Sequence, residues 1–477
     1  FAVRLGLSVH IAIRRLALPC KQSQNGTGFQ RLRVEHSLFE LHDAGSTSGD
    51  VVQPNLRAVA SIHFQYGVFA AQIGRCCKRR AAQGDLEANL LVNRQFRFRY
   101  FRFQLSKDTQ PLFGGSGKEN RGMKLWNEIR KCLIENEKQK VCEGKTENTY
   151  GGLLAFAESC AGLIVKYKCV AVMCDSELMA AKAILTCFAA GVTVLPLPTR
   201  YGSVYCERIL SFVKPDAMIT DRGGMPEIVP LKAGYEVTDA DPALIMCTSG
   251  TTGEPKGVML TEENVLTAVS DITAYFDIGG DDTILIPRPL YHCAVLTGEF
   301  LTAIFKGCRI CFYSGALNPV AVPELVRLCG ATVLCGTPTF WRLLISFMRR
   351  AGTMLPLGKI QVSGECLDCD TAYALADMFP AAKIYSVYGL TEASPRVSAL
   401  PPELFPKRCD SVGLPLRSVE VKVIKSDGSE ADYGEEAVLY VKGGNVMAGY
   451  YRNAEKTAEV LCGGWLCTGD IAVIYSD

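Results

Sequence analysis

Helix-like and strand-like segments alternate regularly between Tyr150 and Thr220, and this alternation limits the possible fold more than any other feature of the sequence. Short apolar runs, typical of strands buried on both faces, are separated by amphipathic stretches of helical length. This order favours an α/β fold with a doubly wound, mostly parallel sheet covered by helices on both faces. The predicted elements are helix Tyr150–Lys166, strand Cys169–Cys174, helix Glu177–Ala190, strand Val192–Leu197, helix Tyr205–Val213 and strand Ala217–Thr220.

The pattern changes beyond Val412, where strand-like segments follow one another without helices. Ser418–Ile424 alternates apolar and polar residues, and Ala437–Gly443 follows a polar, Gly-containing turn. These segments predict a small antiparallel or β-barrel-like subdomain. The sequence therefore divides into an α/β core over 123–405 and a β-rich region over 406–477.

The first 122 residues differ in composition from the rest of the chain. The whole chain of 477 residues has 51 basic and 49 acidic residues, so its net charge of +2 gives no overall reason to expect a nucleic-acid partner. Residues 1–122 contain 18 Lys and Arg against 8 Asp and Glu, without a sustained helical or strand period. We expect no domain there. Three interpretations stay open: translated sequence upstream of the native protein, a mitochondrial-type leader, or a basic-aromatic strand or nucleic-acid contact at Phe96–Gln104.

The 21 cysteines are interpreted as reduced thiols, because the chain is long and has no clear signal peptide. Two CxxC pairs, Cys308/Cys311 and Cys366/Cys369, have no His nearby in sequence to complete a zinc-finger spacing. We therefore expect buried thiols at both pairs and a cytoplasmic protein.

No segment predicts a membrane span. The most apolar window, Leu178–Pro198, contains Lys182 and is interrupted at Gly191. A helix followed by a strand explains this window better than a continuous span of about 20 residues.

Ala243–Leu260 (ALIMCTSGTTGEPKGVML) has the pattern of a phosphate-binding loop. An apolar run ends at Cys247, a loop rich in hydroxyls and glycine follows, and an apolar run with a helix-compatible pattern resumes at Val258. Glycines allow backbone N–H groups to approach a ligand, hydroxyls donate hydrogen bonds, and a lysine adds positive charge. The loop lacks the Gly-Lys-Ser/Thr ending of a Walker motif. The predicted phosphate-binding residues are Thr248, Ser249, Gly250, Thr251, Thr252, Gly253 and Lys256.

The segment Thr248–Val258 (TSGTTGEPKGV) resembles the signature loop of the adenylate-forming superfamily, which includes acyl-CoA synthetases, aryl and fatty acid ligases, luciferases and peptide synthetase adenylation domains. Three further segments resemble that family's elements in the right order: YGLTE at Tyr388–Glu392, NVMAGYYRNAEKT at Asn445–Thr457 and GWLCTGD at Gly464–Asp470. The resemblance covers roughly residues 150–477. It implies the family's large N-terminal domain, with α/β subdomains and a small β-barrel-like subdomain. By comparison with the family, we expect the small C-terminal domain to be absent and the chain as given to be impaired in adenylation and thiol transfer.

The resemblance implies that ATP activates a carboxylic acid to acyl-AMP with release of pyrophosphate, followed by transfer to a thiol. The acceptor would be coenzyme A or the phosphopantetheine of an acyl carrier protein. Displacement at phosphorus needs charge neutralisation and in-line positioning more than proton transfer. By carry-over, Thr391 would hydrogen-bond phosphate and Glu392 would hold Mg²⁺, which prefers oxygen ligands. Tyr388, with Gly389, would stack on adenine, and Asp470 would bind the ribose hydroxyls.

Two weaker matches complete the predicted site. Gly364, Glu365 and Cys366 occupy the place of the family's adenine-contacting loop but depart from its commoner Gly-Ala-Pro type. His292, counted among the catalytic residues, resembles a mobile element beside the acyl pocket, although a purely structural role stays open. The predicted substrate-pocket residues are Tyr291, His292, Val295, Gly336, Thr337 and Pro338.

The pocket segments contain no acidic residue before Glu299, which favours a fatty or aromatic acid over an amino acid. The expected partners are ATP and a small carboxylic acid, with no nucleic acid. A non-catalytic nucleotide-binding remnant and an amino-acid-activating adenylation domain are the alternatives.

Overall fold

Two mixed, mostly parallel sheets form the α/β core. The computed structural model describes residues 10–14, 123–199, 203–221, 225–232, 234–249, 255–315 and 318–476, which belong to one structural unit. The interpretations of the segment 1–122, apart from its residues 10–14, lie outside the described residues.

The larger sheet has nine strands within the described residues, in the order β16-β15-β14-β13-β12-β10-β11-β2-β3. The pairings from β14 to β2 are parallel, whereas β3, β15 and β16 are antiparallel to their neighbours. These strands are β2 (Lys140–Glu143), β3 (Thr146–Thr149), β10 (Thr283–Ile286), β11 (Arg309–Phe312), β12 (Val333–Gly336), β13 (Lys359–Val362), β14 (Lys383–Tyr388), β15 (Ser398–Leu400) and β16 (Leu414–Pro415).

The second sheet has seven strands in the described part of the chain, in the order β19-β9-β8-β5-β4-β6-β7. Its central pairings, β8–β5, β5–β4 and β4–β6, are parallel. The strands are β4 (Cys169–Val172), β5 (Thr193–Pro196), β6 (Ala217–Thr220), β7 (Glu227–Pro230), β8 (Leu244–Ser249), β9 (Pro255–Leu260) and β19 (Gly449–Tyr450).

Short polar residues start most of the helices, as expected for N-caps. The Thr149, Ser176, Thr337 and Asp368 side chains each accept a hydrogen bond from a backbone N–H in the first helical turn. The helices are α1 (Lys124–Glu135), α2 (Tyr150–Ile164), α3 (Glu177–Ala189), α4 (Ser203–Val213), α5 (Glu262–Tyr275), α6 (Val322–Cys329), α7 (Pro338–Ala351), α8 (Cys369–Met378) and α9 (Ala454–Val460). Between β10 and β11, short helical stretches at Cys293–Val295 and Thr302–Phe305 flank a π-helical turn at Leu296–Leu301.

The third sheet is antiparallel and forms the β-rich subdomain. Its order is β1-β21-β18-β17, with β20 also paired to β21. The pairing of β18 with β21 shifts register between Val438 and Tyr440, as at a β-bulge that bends a sheet. The strands are β1 (His10–Arg14), β17 (Val419–Ile424), β18 (Glu436–Gly443), β20 (Leu461–Cys462) and β21 (Trp465–Tyr475).

The predicted alternation between Tyr150 and Thr220 is confirmed, because helices α2, α3 and α4 alternate with strands β4, β5 and β6. Strands β4 and β5 are buried at every residue, as parallel strands covered on both faces should be, whereas β6 alternates buried and half-buried residues. No helix in the described ranges is both long enough and apolar enough to cross a bilayer.

Three sequence expectations are wrong. The apolar run at Val258 is strand β9, because residues 255–260 pair antiparallel with β8, and the helix starts only after the Thr261 cap. The β-rich region contains a helix, Ala454–Val460, whose first turn is capped by Asn453.

At the second CxxC pair, Cys366 is exposed and Cys369 forms a disulfide with Cys409, because the loop after residue 405 approaches the start of α8. At the first pair, Cys308 and Cys311 are buried thiols as expected.

Candidate active site

A cleft at the carboxyl ends of β13 and β14 contains all the residues predicted to bind adenine and ribose. Its empty volume, including open solvent, is about 630 Å³. In doubly wound sheets ligands bind outside the carboxyl ends of the strands, which is where this cleft opens. The predicted residues that line it are Gly364, Glu365, Cys366, Tyr388, Gly389 and Asp470, together with Ser386, Cys409, Asp410 and Ser411 among others.

Tyr388 and Asp470 join two sheets across this cleft. Tyr388 is the last residue of β14, whereas Asp470 lies on β21 of the antiparallel subdomain. The Tyr388 hydroxyl donates a 2.7 Å hydrogen bond to Asp470 Oδ2. This bond fixes the aromatic ring beside a carboxylate, so a flat ligand and a pair of hydroxyls can be bound side by side.

Gly389 permits a close backbone crossing at the edge of the cleft. A Cβ atom at this position would lie 1.9 Å from the carbonyl oxygen of Pro395. Backbone atoms cannot yield as a flexible side chain can, so glycine is required for the chain to turn back after β14. The segment after Tyr388 thereby folds into the 3₁₀ turn Thr391–Ala393.

Glu365 contacts a helix start in addition to lining the cleft. Its Oε2 accepts hydrogen bonds from the Thr339 backbone N–H at 3.1 Å and from the Thr339 hydroxyl at 2.6 Å. A carboxylate is favourable at this position because the first turn of α7 has unpaired N–H groups and a partial positive charge. The departure from the Gly-Ala-Pro type at Glu365 therefore has a local structural reason.

Glu392, Tyr450 and Lys256 form a second group of polar residues. The Tyr450 hydroxyl donates a 2.9 Å hydrogen bond to Glu392 Oε1, and Lys256 Nζ lies 5.4 Å from the centroid of the Tyr450 ring. Burial and the Glu392 carboxylate both raise the pKa of Tyr450, so its hydroxyl stays protonated as a donor. One tyrosine thus lies close to both a lysine, at its ring, and a carboxylate, at its hydroxyl.

The backbone of the 3₁₀ turn is anchored by the segment before Tyr450. Glu392 accepts a 2.9 Å hydrogen bond at its carbonyl oxygen from the Met447 N–H. The buried Asn445 side chain donates to the carbonyl oxygens of Ala393 and Arg396, at 3.0 and 2.8 Å. These bonds hold Thr391 and Glu392 at a defined distance from the β8–β9 hairpin, since Tyr450 itself pairs with Val258 of β9.

The predicted phosphate loop connects β8 and β9. Thr248 and Lys256 are directly paired across this antiparallel hairpin, and Ser249 pairs with Pro255. The Lys256 end of the loop therefore lies next to Tyr450 and, through it, Glu392, whereas the Thr248 end is one strand further away. The predicted residues Gly250, Thr251, Thr252 and Gly253 lie outside the described residues.

Tyr291 and His292 lie at the start of the helical stretch that follows β10. Their ring centroids are 4.2 Å apart, and Tyr291 also lines a small cavity with Glu177 and Leu290. The His292 side chain is exposed, but neighbouring protein atoms remove part of its hydration, and this desolvation together with the nearby Arg288 guanidinium lowers its pKa to about 4. The imidazole is therefore neutral at physiological pH.

The other predicted pocket residues are parts of the packed core. Val295 has no exposed surface. Gly336 ends β12, where a Cβ atom would lie 2.3 Å from the Phe340 ring, and the Thr337 hydroxyl accepts a 3.3 Å hydrogen bond from the Phe340 N–H. Pro338 begins α7, a common position for proline. The structure gives these four residues local structural roles next to the predicted pocket.

Behind these residues lies a charged cluster that the sequence patterns did not reveal. Arg288 forms an ion pair with Glu299, whose side chain is fully buried, and Arg396 is 2% exposed. Burial raises the pKa of Glu299, whereas both arginines oppose that rise. Arg396 Nη2 and Glu299 Oε2 have no hydrogen-bond partner among the described residues. On this side of the candidate site, called the acyl side for its predicted pocket, charged groups thus lie beneath apolar residues.

Some of the missed residues carried a sequence signal and others did not. Asn445 and Tyr450 belong to the segment NVMAGYYRNAEKT, so the motif marked their position but not their contacts. Arg288, Glu299 and Arg396 come from two distant segments, and their contact depends on the π-helical turn at Leu296–Leu301.

Among the residues that the structure describes, no group of three or more His, Cys, Asp or Glu is arranged to hold a metal ion. Glu392 offers one carboxylate near the phosphate-loop hairpin. A single carboxylate suits Mg²⁺ when the substrate's phosphate oxygens and water complete the octahedral shell.

Comparison with known proteins agrees with this geometry. Residues 225–451 match the family model of AMP-binding enzymes. Feruloyl-CoA synthase from Amycolatopsis is 28% identical over 384 residues, covering 75% of this chain and 77% of that protein. A long-chain-fatty-acid–CoA ligase from Salmonella typhimurium is 32% identical over 259 residues, covering 51% of this chain and 44% of the ligase.

Over residues 225–451, slightly less than half of its length, the chain is similar to AMP-binding enzymes, which are members of the adenylate-forming superfamily. Its fold is that of the superfamily's large N-terminal domain. The crystal structure of the N-terminal domain of FACL13 from Mycobacterium tuberculosis superposes with a TM-score of 0.64 at 20% identity, covering 74% of this chain and 98% of that domain. The predicted fold class is therefore confirmed.

Proposed function

We propose that this protein activates a carboxylic acid with ATP, forming acyl-AMP and pyrophosphate, and that the acyl group is then transferred to the thiol of coenzyme A. The observation that carries the proposal is the shared cleft, in which six residues predicted from three separate segments lie together. The short segment Tyr388–Glu392 connects this cleft with the Lys256–Tyr450–Glu392 group. A nucleotide bound along that segment would extend from its base at Tyr388 to its phosphates at Lys256.

On the nucleotide side, the residues supply binding and orientation. The Tyr388 ring offers a flat apolar surface for adenine, and the Asp470 carboxylate accepts hydrogen bonds from ribose hydroxyls. Because the Tyr388 hydroxyl already donates to Asp470 Oδ2, that carboxylate is oriented before the nucleotide arrives.

On the phosphate side, Lys256 supplies positive charge and Thr391 a hydroxyl donor. Glu392 would hold Mg²⁺ together with phosphate oxygens, and the metal would neutralise charge on the triphosphate. The Tyr450 hydrogen bond to Glu392 fixes the orientation of this carboxylate. The acid can then attack the α-phosphate with pyrophosphate as leaving group, a displacement that depends on alignment.

For the acid, we propose an aromatic or fatty substrate. An amino acid would require an available carboxylate for its ammonium group, and Glu299 is engaged by Arg288 instead. The related proteins include a feruloyl-CoA synthase and a long-chain-fatty-acid–CoA ligase, which supports these two classes of acid. His292 remains neutral above about pH 5 and would gate the approach of the acid without acting as its base, because an ionised carboxylate needs none.

The test is ATP–pyrophosphate exchange with aromatic, fatty and amino acids added singly. We expect exchange that depends on an aromatic or fatty acid, and a loss of roughly 100-fold for Glu392→Gln, as for other electrostatic groups at a reacting centre. Glu420→Gln, an exposed carboxylate on β17, is the matched control and should retain the rate.

ATP binding without acid-dependent exchange would instead indicate a nucleotide-binding protein without activity. Exchange driven best by an amino acid would contradict the proposed substrate class. Thioester formation with coenzyme A, compared with a carrier protein's phosphopantetheine, identifies the acceptor.

A further inference from the structure

Two cysteines face each other on adjacent parallel strands far from the nucleotide cleft. Cys142 lies on β2 and Cys311 on β11, and the two residues are directly paired in the register of the sheet. Their sulfur atoms are 2.9 Å apart. Neighbouring strands lie about 4.8 Å apart, which is within the Cα separation that a disulfide accepts.

The strand sequences explain this pairing. KVCE in β2 and RICF in β11 place an apolar β-branched residue and then a cysteine at matching positions. Because side chains alternate between the two faces of a strand, Val141 and Ile310 pack into one core cluster and the two cysteines into another. The thiols are therefore held on the same face of the sheet.

A third thiol lies beside this pair. Cys329, the last residue of α6, interacts with the Cys311 thiol and is only partly buried. Cys142 itself is 8% exposed, so a small molecule can reach its edge. A hydrogen bond from the Cys311 thiol and the Arg309 guanidinium lower the pKa of Cys142, whereas the neighbouring thiols raise the pKa of Cys311. Cys142 is thus the thiol of the pair with the greater thiolate fraction.

We propose that Cys142 and Cys311 are a peroxide-sensitive modification site that forms an intramolecular disulfide, with Cys329 as the alternative partner of Cys311. This inference does not depend on the proposed ligase activity.

The chemistry requires only hydrogen peroxide as oxidant. The Cys142 thiolate attacks one peroxide oxygen, the O–O bond breaks, the other peroxide oxygen leaves as hydroxide, and Cys142 becomes a sulfenic acid. The Cys311 sulfur then attacks the Cys142 sulfur, the S–O bond breaks, and the second oxygen leaves as hydroxide. With the two thiol protons, the products are one disulfide and two water molecules.

Peptide mapping of the whole chain tests this proposal. After brief exposure to a small excess of hydrogen peroxide, remaining thiols are alkylated and the protein is digested with trypsin without reductant. Trypsin places Cys142 in peptide 141–145, Cys311 in 310–327 and Cys329 in 328–342. We expect a linked pair of peptides 141–145 and 310–327, lighter by two hydrogens than their sum and separated by dithiothreitol.

Matched variants distinguish this bond from general oxidation. Cys142→Ser should move the bond to Cys311 and Cys329, and Cys311→Ser should leave a Cys142 sulfenic acid that reacts with dimedone. Cys160→Ser is the control, because Cys160 is a partly buried free thiol whose sulfur lies 3.8 Å from the Ser159 hydroxyl. This variant should form the linked pair as the wild type does.

Complete alkylation of Cys142 and Cys311 under conditions that oxidise Cys160 would overturn the proposal. Direct over-oxidation of Cys142 to sulfinic acid, without a linked peptide, would also overturn it. If a serine variant fails to fold, the mapping of the wild-type chain decides the question by itself.

Discussion

The nucleotide side and the acyl side of the candidate site differ in how their polar groups meet solvent. On the nucleotide side, Tyr388 and Asp470 line an open cleft and contact each other. On the acyl side, Arg288, Glu299 and Arg396 are enclosed, with two of the three side chains at most 2% exposed. Water can replace a lost partner in an open cleft but not in a closed cluster. Substitutions of these polar side chains should therefore mainly affect ligand binding on the nucleotide side and folding on the acyl side.

The largest effect is expected for Glu299→Leu. This change leaves Arg288 and Arg396 without their buried counter-charge, which should lower the free energy of unfolding by about 3–5 kcal/mol in urea denaturation. The control is Glu324→Gln, whose exposed ion pair with Arg327 should contribute at most about 1 kcal/mol. The double variant Arg288→Met/Glu299→Leu should be less destabilised than Glu299→Leu. If Glu299→Leu and Glu324→Gln lowered the free energy of unfolding equally, the contrast between the two sides would be wrong.

The next effect concerns the nucleotide side, where the Cys369–Cys409 disulfide closes a loop and Cys409 lines the cleft. Cross-linking residues separated by 40 positions restricts the unfolded chain, so Cys369→Ser should lower the free energy of unfolding by about 2–4 kcal/mol. Cys462→Ser, which replaces an exposed thiol, should change it by less than about 0.5 kcal/mol. If reducing agent destabilises neither the wild type nor Cys462→Ser, the two cysteines are not joined in solution.

A smaller effect is expected for Tyr388→Phe, which keeps the ring and removes the hydroxyl that donates to Asp470. Losing one hydrogen bond of about 1 kcal/mol should weaken ATP binding by roughly fivefold, measured by calorimetry, with little change in unfolding. Tyr433→Phe, at an exposed tyrosine, should bind ATP as the wild type does. If Tyr388→Phe greatly lowered the free energy of unfolding but left the ATP affinity unchanged, the Tyr388 hydroxyl would support the packed core and would not contribute to ligand binding.

The same contrast explains what could be predicted from the sequence. The β-α-β order was predictable because buried parallel strands are uniformly apolar, and the residues of the nucleotide cleft were predictable because they lie in contiguous motifs such as YGLTE. Strand β9 was mistaken for a helix because a short apolar run has no clear period, and only its pairing with β8 decides the structure. The Arg288–Glu299 pair was not predictable, because an 11-residue separation matches no regular helical or strand contact and depends on a π-helical turn. Contacts set by tertiary packing leave no local pattern.

The smallest effect is the titration of His292, which reports the electrostatics of the acyl side directly. Partial desolvation by neighbouring protein atoms and the Arg288 guanidinium disfavour the imidazolium, so we expect a pKa of about 4 by NMR, with the resonance assigned through His292→Gln. Because this pKa lies below the ordinary value of 6.5, the unfolded chain binds the proton more readily than the folded chain. The contribution of His292 to stability is therefore constant above pH 6.5 and declines as the pH falls toward 4. The His292→Gln variant should lose that part of the pH dependence. A titration near 6.5 would show that the exposed imidazole is fully hydrated and that Arg288 is too well neutralised by Glu299 to act on it.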